Sequence, residues 1–320
     1  MIHLVTPDTE TIRPDIDAVI FDMDGVLLDI SQSVRVVNCL AVPFYLRTIL
    51  GSPAPDDLLT SEDIEMFKHA GGFNDDWDLT YALVLHYLAK EHEHPAASPA
   101  TLNVIRPSLA RYAHQIEERG GGLAAAERVY FEKITLDDQH AIEKYYRKPL
   151  IRQCFEELLA GEHTQRLYGR PPEFYHGPGY VNNDRVLLDL ARLPQDKKLG
   201  VQTGRTWEEA QLGMERIGLS GIIPEAHIVT KRDKFHKPDP RGLMLLADRL
   251  QFKNALYVGD TLDDLRTVRR FNERKRTEKF WGALVLTGPA GTLNRKTFLK
   301  AQPDLLASDV NAVLDWLAGK

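Results

Sequence analysis

The chain has 320 residues, 43% hydrophobic and 27% charged, with a formal net charge of −6. That length accommodates two domains and a sizeable core. The acidic balance argues against nucleic acid or an anionic membrane as partner, and no uncharged apolar run is long enough to span a bilayer.

Met1–Arg13 lacks the basic start and apolar centre of a signal peptide, so a cytoplasmic location is expected. Cys39 and Cys154 match no zinc or disulfide framework and read as buried thiols in a reducing compartment.

Residues 1–17 read as a polar lead-in. Ala18-Val19-Ile20-Phe21 then forms a continuous apolar run, the pattern of a buried parallel strand. It ends abruptly in Asp22-Met23-Asp24-Gly25, and Gly25 permits a sharp turn. Ligands of open α/β sheets bind beyond the carboxyl ends of strands, where Asp22 and Asp24 fall. Two ionised carboxylates this close require a cation, and Mg²⁺ is the economical one. Alone, an Asp-x-Asp pair is also an ordinary solvated turn.

From Ser31 the spacing of Val34, Val37, Leu40, Ala41 and Phe44 predicts a helix to Leu50, stopped by Gly51-Ser52-Pro53, with Pro43 in its middle. Residues 54–180 are mostly helical. Thr60 or Ser61 caps one helix, and Trp77, Tyr81, Leu85 and Leu88 line another up to His94-Pro95. Further helices are expected over 104–118, ended by Gly120–Gly122, and over 123–131 and 137–155. Residues 163–183, rich in Gly, Pro and Tyr, read as a return linker.

From residue 184 helices and strands alternate: helix 184–193, strand 199–203, and a helix to Ile217 opened by the capping box Thr206/Glu209. Strand 228–229, helix 242–250, strand 255–258, helix 263–271, strand 282–286 and helix 309–317 follow. Alternating βα units imply a parallel sheet covered on both faces. The expected fold is therefore α/β, a Rossmann-like core of residues 1–29 and 184–320, with an all-helical domain, 30–183, inserted after the first strand.

Four strand ends carry chemistry. The first bears Asp22 and Asp24. The second is Thr203-Gly204-Arg205, suited to an oxyanion at a helix start. The third is the basic run Lys231–Lys237 closed by Pro238-Asp239-Pro240. The fourth is Gly259-Asp260-Thr261-Leu262-Asp263-Asp264. Each alone reads equally as a turn, a solvated loop or a helix cap.

Their order resembles the four motifs of the haloacid dehalogenase superfamily, with a helical insertion like the C1 cap of its subfamily I, which includes phosphoglycolate phosphatase and β-phosphoglucomutase. The stretch Lys68–Thr80 is similar to the cap of a subfamily IA group without an assigned substrate. The resemblance implies Asp22 as nucleophile and Asp24 as general acid and then base. It implies Thr203 and Gly204 as phosphoryl-oxygen binders, with Lys237 neutralising charge. It implies Mg²⁺ held by Asp22, the carbonyl of Asp24 and Asp260, with Asp264 either orienting the metal's waters or binding it directly. Asp263 is adjacent to Asp264 and differs from it only in family spacing, and Lys231 and Lys234 are rivals of Lys237.

Asp24 favours phosphate esters over dehalogenation, because the dehalogenases typically lack this second aspartate. Lys68, Gly71, Gly72, Asn74 and Asp75 are the candidates for a substrate-facing cap loop. The competing reading makes them a structural turn. Trp77 is assigned to the core. Arg111 and Arg147 are taken as solvated or ion-paired, and His69, His86, His92 and His94 as surface residues.

The expected activity is Mg²⁺-dependent hydrolysis of a small phosphorylated metabolite. The alternatives are a phosphomutase and a phosphate-binding module without turnover. Substrate identity and oligomeric state are not encoded in any motif.

Overall fold

The computed structural model describes residues 1–73, 75–288 and 291–320, with side chains throughout except at 291–294. The chain condenses into two compact units, Met1–Ile30 with Asp184–Lys320, and Ser31–Asn183.

The first unit opens with strand β1 (Ile2–Val5) and helix α1 (Pro7–Ile12), where a lead-in was expected. Thr6 Oγ1 accepts from the Thr9 N–H at 3.3 Å and Pro7 stands in the first turn, so a mostly polar six-residue stretch forms a helix. Strand β2 (Ala18–Phe21) and the short β3 (Leu28–Asp29) follow.

The second unit is all-helical among its described residues: α2 (Val34–Leu50), α3 (Ser61–His69), α4 (Asp76–Glu93), α5 (Pro99–Val104), α6 (Leu109–Glu118), α7 (Gly122–Phe131), α8 (Leu136–Glu143), α9 (Lys148–Ala160) and α10 (Thr164–Tyr168). Helix α2 runs through Pro43. Two expected helices are each divided. Ser108 caps α6 after Pro107, and α9 starts afresh after Arg147 with Pro149 in its first turn.

Helix α4 is the centre of this unit, with Leu79, Thr80 and every residue from Ala82 to Lys90 buried. A helix apolar on all sides belongs in an interior. His86, expected at the surface, is fully buried there. Its ring stacks on Tyr112 at 5.0 Å, and its Nδ1 lies 2.5 Å from the Tyr130 hydroxyl. Trp77 carries the Arg152 guanidinium over its ring at 3.6 Å.

The chain re-enters the first unit through β4 (Arg185–Val186), which pairs antiparallel with β3. This corrects the helix expected over 184–193. The segment's polar groups find distant partners instead: Arg185 pairs with Asp29, and the Asp189 N–H donates to Asn311 Oδ1 at 2.8 Å.

Strand β5 (Lys198–Gln202) then leads to α11 (Trp207–Ile217), opened by the Thr206/Glu209 capping box. The remaining elements are β6 (Ile228–Val229), α12 (Arg241–Leu250), β7 (Asn254–Gly259), α13 (Leu262–Asn272), β8 (Lys279–Val285), α14 (Gly291–Ala301), β9 (Leu305–Ala307) and α15 (Val310–Leu317). Helix α14 and strand β9 are not among the elements expected from the sequence, and β9 is the shorter of the two at three residues. Three residues are too few to display a period.

The described residues form a seven-stranded sheet in the order β1-β9-β8-β7-β2-β5-β6, parallel except where β1 meets β9. Along β2, Val19 and Phe21 enter the core on one face while Ala18 and Ile20 enter the core on the other. That is why the run is continuously apolar: each fully buried large side chain contributes roughly 1.5–3 kcal/mol. The α/β class is as expected. No helix among the described residues is long and apolar enough to cross a membrane.

Candidate active site

The sheet brings three motif-bearing strand ends together. Phe21 of β2 is in register with Val201 of β5 on one side and Val258 of β7 on the other. Asp22, Thr203 and Asp260 therefore leave one edge of the sheet, the position where α/β folds bind ligands. Beyond Asp22 the chain reverses tightly: the Leu27 and Leu28 N–H groups donate to the Met23 carbonyl at 2.8 and 2.9 Å, and Gly25 adopts a φ of +75°.

Asp22, Asp260 and Asp264 are buried and offer one carboxylate oxygen each within 4.8 Å of the others. Lys237 Nζ lies 2.7 Å from Asp22 Oδ2 and 2.7 Å from Asp264 Oδ1. The Tyr257 hydroxyl donates to Asp264 Oδ1 at 3.0 Å. Asp264 Oδ2 accepts from the Thr261 N–H and hydroxyl at 2.9 and 2.7 Å, closing the capping box of α13. Asp263 instead pairs with Arg266 at 2.8 Å, so Asp264 is the acid that turns into the cluster. Lys237 is the lysine drawn in. Lys234 occupies a left-handed turn at φ +62° in the loop before it.

The electrostatics follow from one lysine facing three buried acids. Burial pushes the Asp22 carboxyl up to about 7, against the pull of Lys237. Burial, then the charges of Asp22 and Asp264, pushes Asp260 well above the usual carboxylate range. Burial also pushes Asp264 upward, but Lys237 and the Thr261 bonds outweigh it and hold the group below its ordinary value. Burial opposes the charge on Lys237, and Asp22 and Asp264 more than compensate, raising it. A cluster of hard oxygen donors short of positive charge fits a divalent cation.

The backbone around Asp260 is shaped to admit its carboxylate. A Cβ at Gly25 would lie 2.1 Å from Asp260 Oδ2, and one at Gly288 would lie 2.0 Å from it. The Thr287 hydroxyl donates to the Gly25 carbonyl at 2.6 Å, tying the loop after β8 to the turn after β2.

Thr203 is buried, and its Oγ1 accepts from the Arg205 N–H at 3.2 Å. Gly204 is exposed, with open space around its Cα. Arg205 is buried between two carboxylates. Its Nε donates to Asp24 Oδ1 at 2.9 Å, and its Nη2 lies 2.7 Å from the same oxygen and 2.8 Å from Asp184 Oδ2. Burial works against its charge, but Asp24 and Asp184 outweigh that and raise its pKa.

The cap-loop candidates lie in the helical unit, between α3 and α4. Lys68 Nζ donates to the Phe73 carbonyl and to Asp76 Oδ1, both at 2.9 Å. Asp75 caps α4, accepting from the Trp77 N–H at 3.0 Å. Gly71 and Gly72 have φ of +83° and +75°, and the Gly122 N–H donates to the Gly71 carbonyl at 2.8 Å. Asn74 lies outside the described residues.

Sequence reasoning missed Asp184, Tyr257, Thr287 and Gly288, and left Arg205 without a role. Asp184 was hidden by the expected helix. Gly288 opens a Gly-Pro dipeptide that reads as a plain turn.

A family model for haloacid dehalogenase-like hydrolases matches residues 16–272. The chain belongs to the haloacid dehalogenase-like hydrolase family. No curated protein matches it. The fold is shared with phosphatase Tt82 from Thermococcus thioreducens, at 23% identity and TM-score 0.61, covering 94% of this chain and 99% of that one. It is also shared with a family IA, variant 3 hydrolase of this group from Entamoeba histolytica, at 11% identity and TM-score 0.50, covering 95% and 100%.

Proposed function

We propose that the chain is a Mg²⁺-dependent phosphatase of small phosphorylated metabolites. The observation that carries this reading is the cluster itself: a buried carboxylate, Asp22, held 2.7 Å from Lys237 beside Asp260 and Asp264, with a second carboxylate, Asp24, two residues on. Phosphoryl transfer needs positioning and charge neutralisation above all, and this arrangement supplies both.

In this reading Asp22 attacks phosphorus and forms an aspartyl-phosphate, while Asp24 gives a proton to the departing alkoxide. Water then attacks the aspartyl-phosphate, and Asp24 takes the water's proton. Thr203 and the adjoining N–H groups receive the phosphoryl oxygens, with Lys237 opposite their charge. Asp22, the Asp24 carbonyl and Asp260 would hold the metal, supported by Asp264. When bound, Mg²⁺ supplies the positive charge that the lysine alone does not provide. The loop Lys68–Asp75 is our candidate for selecting the rest of the ester.

The test is phosphate release across a panel of phosphorylated metabolites, with Mg²⁺ and with chelator, using Asp22→Asn as the blank. Release from a narrow set, lost with chelator and in the variant, is expected. Full activity in Asp22→Asn would sink the reading.

A further inference from the structure

We propose that Arg205 is a positioning residue that sets the carboxylate of Asp24 for proton transfer, with Asp184 bracing the guanidinium from the other side. The inference rests on the phosphatase reading and assigns a new role within it. Arg205 is 8% exposed and reaches Asp24 Oδ1 through both Nε, at 2.9 Å, and Nη2, at 2.7 Å. Two donors of one planar guanidinium converge on Oδ1 and hold that oxygen in place, leaving Oδ2 as the free end of the carboxylate, whereas an ammonium is a point charge on a flexible stem. Among the described residues Asp24 Oδ2 takes no hydrogen bond, so it is the oxygen left to carry the proton.

The guanidinium does not depend on Asp24 for its place. Asp184, itself 6% exposed, accepts from Nη2 at 2.8 Å, and the Asp184 carbonyl accepts from Arg216 at 2.9 Å. Arg205 touches no reacting atom. It acts by keeping Oδ2 of Asp24 aimed at the leaving oxygen in the first step and at water in the second.

This role predicts a dependence on leaving group. An alkoxide needs a proton as its P–O bond breaks, whereas a nitrophenolate leaves without one. In Arg205→Met, kcat on alkyl phosphates should fall on the order of 10–100-fold with KM little changed, since general acid catalysis contributes roughly 10²–10⁴. With p-nitrophenyl phosphate, rapid mixing should show a nitrophenolate burst at the wild-type rate, one per active site. Slowed turnover should follow, because the hydrolysis step still needs Asp24 as base. Arg205→Lys should recover only part of the alkyl rate. A fall in the burst rate as large as the alkyl loss would overturn the proposal, as would an unchanged alkyl rate. The phosphatase reading fails separately, if Asp22→Asn retains full activity on the same esters.

Discussion

Lys237 Nζ sits 2.7 Å from Asp22 Oδ2, with both side chains largely out of solvent. The pair is one corner of a cluster in which three buried acids share this cation. Removing one partner of a buried pair leaves charge uncompensated and costs about 3–5 kcal/mol. Lys237→Met should therefore lower stability by that order in chelator, read from the urea midpoint. It should also lose most phosphatase activity. An unchanged midpoint would mean that the acids are neutral in the folded protein.

Gly288 stands against Asp260, where a Cβ would lie 2.0 Å from Oδ2. Gly288→Ala must displace that carboxylate. Mg²⁺ affinity by calorimetry is expected to fall about 10–100-fold, the usual cost of disturbing a ligand's surroundings, while far-UV circular dichroism stays native. Unaltered affinity would exclude Asp260 from the metal site.

Gly72 and Gly51 share a left-handed backbone but differ in surroundings. A Cβ at Gly72 would meet the Gly122 nitrogen at 2.5 Å, whereas one at Gly51 meets nothing within 4 Å. Gly51→Ala should cost about 1 kcal/mol, for the backbone alone. Gly72→Ala should cost roughly 2–3 kcal/mol, adding a backbone collision. Equal costs in denaturant titrations would refute the close packing of the two glycine turns.

His86 makes the helical unit sensitive to acid. Burial, with a smaller push from Lys90, lowers its pKa from 6.5 to about 3. The unfolded chain then binds the extra proton, so this contribution is complete above pH 6.5 and is lost as pH falls toward 3. The loss reaches on the order of 4–5 kcal/mol at the bottom of that window. The urea midpoint should drop between pH 6.5 and 4 in the wild type and drop less in His86→Gln, although that variant starts lower at pH 7. Parallel curves for the two proteins would remove His86 as the cause.

The chain's local chemistry determined much by itself. The run Ala18–Phe21, the capping box at Thr206/Glu209 and the alternation of strands and helices after residue 198 depend on neighbours within one or two turns. Such signals survive in a linear reading. Three of the four motif segments were legible from the apolar strands they follow, and the third from its own basic run closed by Pro238-Asp239-Pro240, since the two residues of β6 show no period. Tertiary structure alone decided which of those side chains meet. It placed Arg205 against Asp24, 181 positions away, and against Asp184. It turned Asp264 inward and left Asp263 paired with Arg266. It buried His86 and drew residues 184–193 out of a helix by offering β3 and Asn311 as partners. The physical reason is that an ion pair or a buried polar contact is chosen by which strand ends, loops and helices the fold brings side by side, and adjacency between separate elements, from tens to well over a hundred residues apart, leaves no period in the sequence.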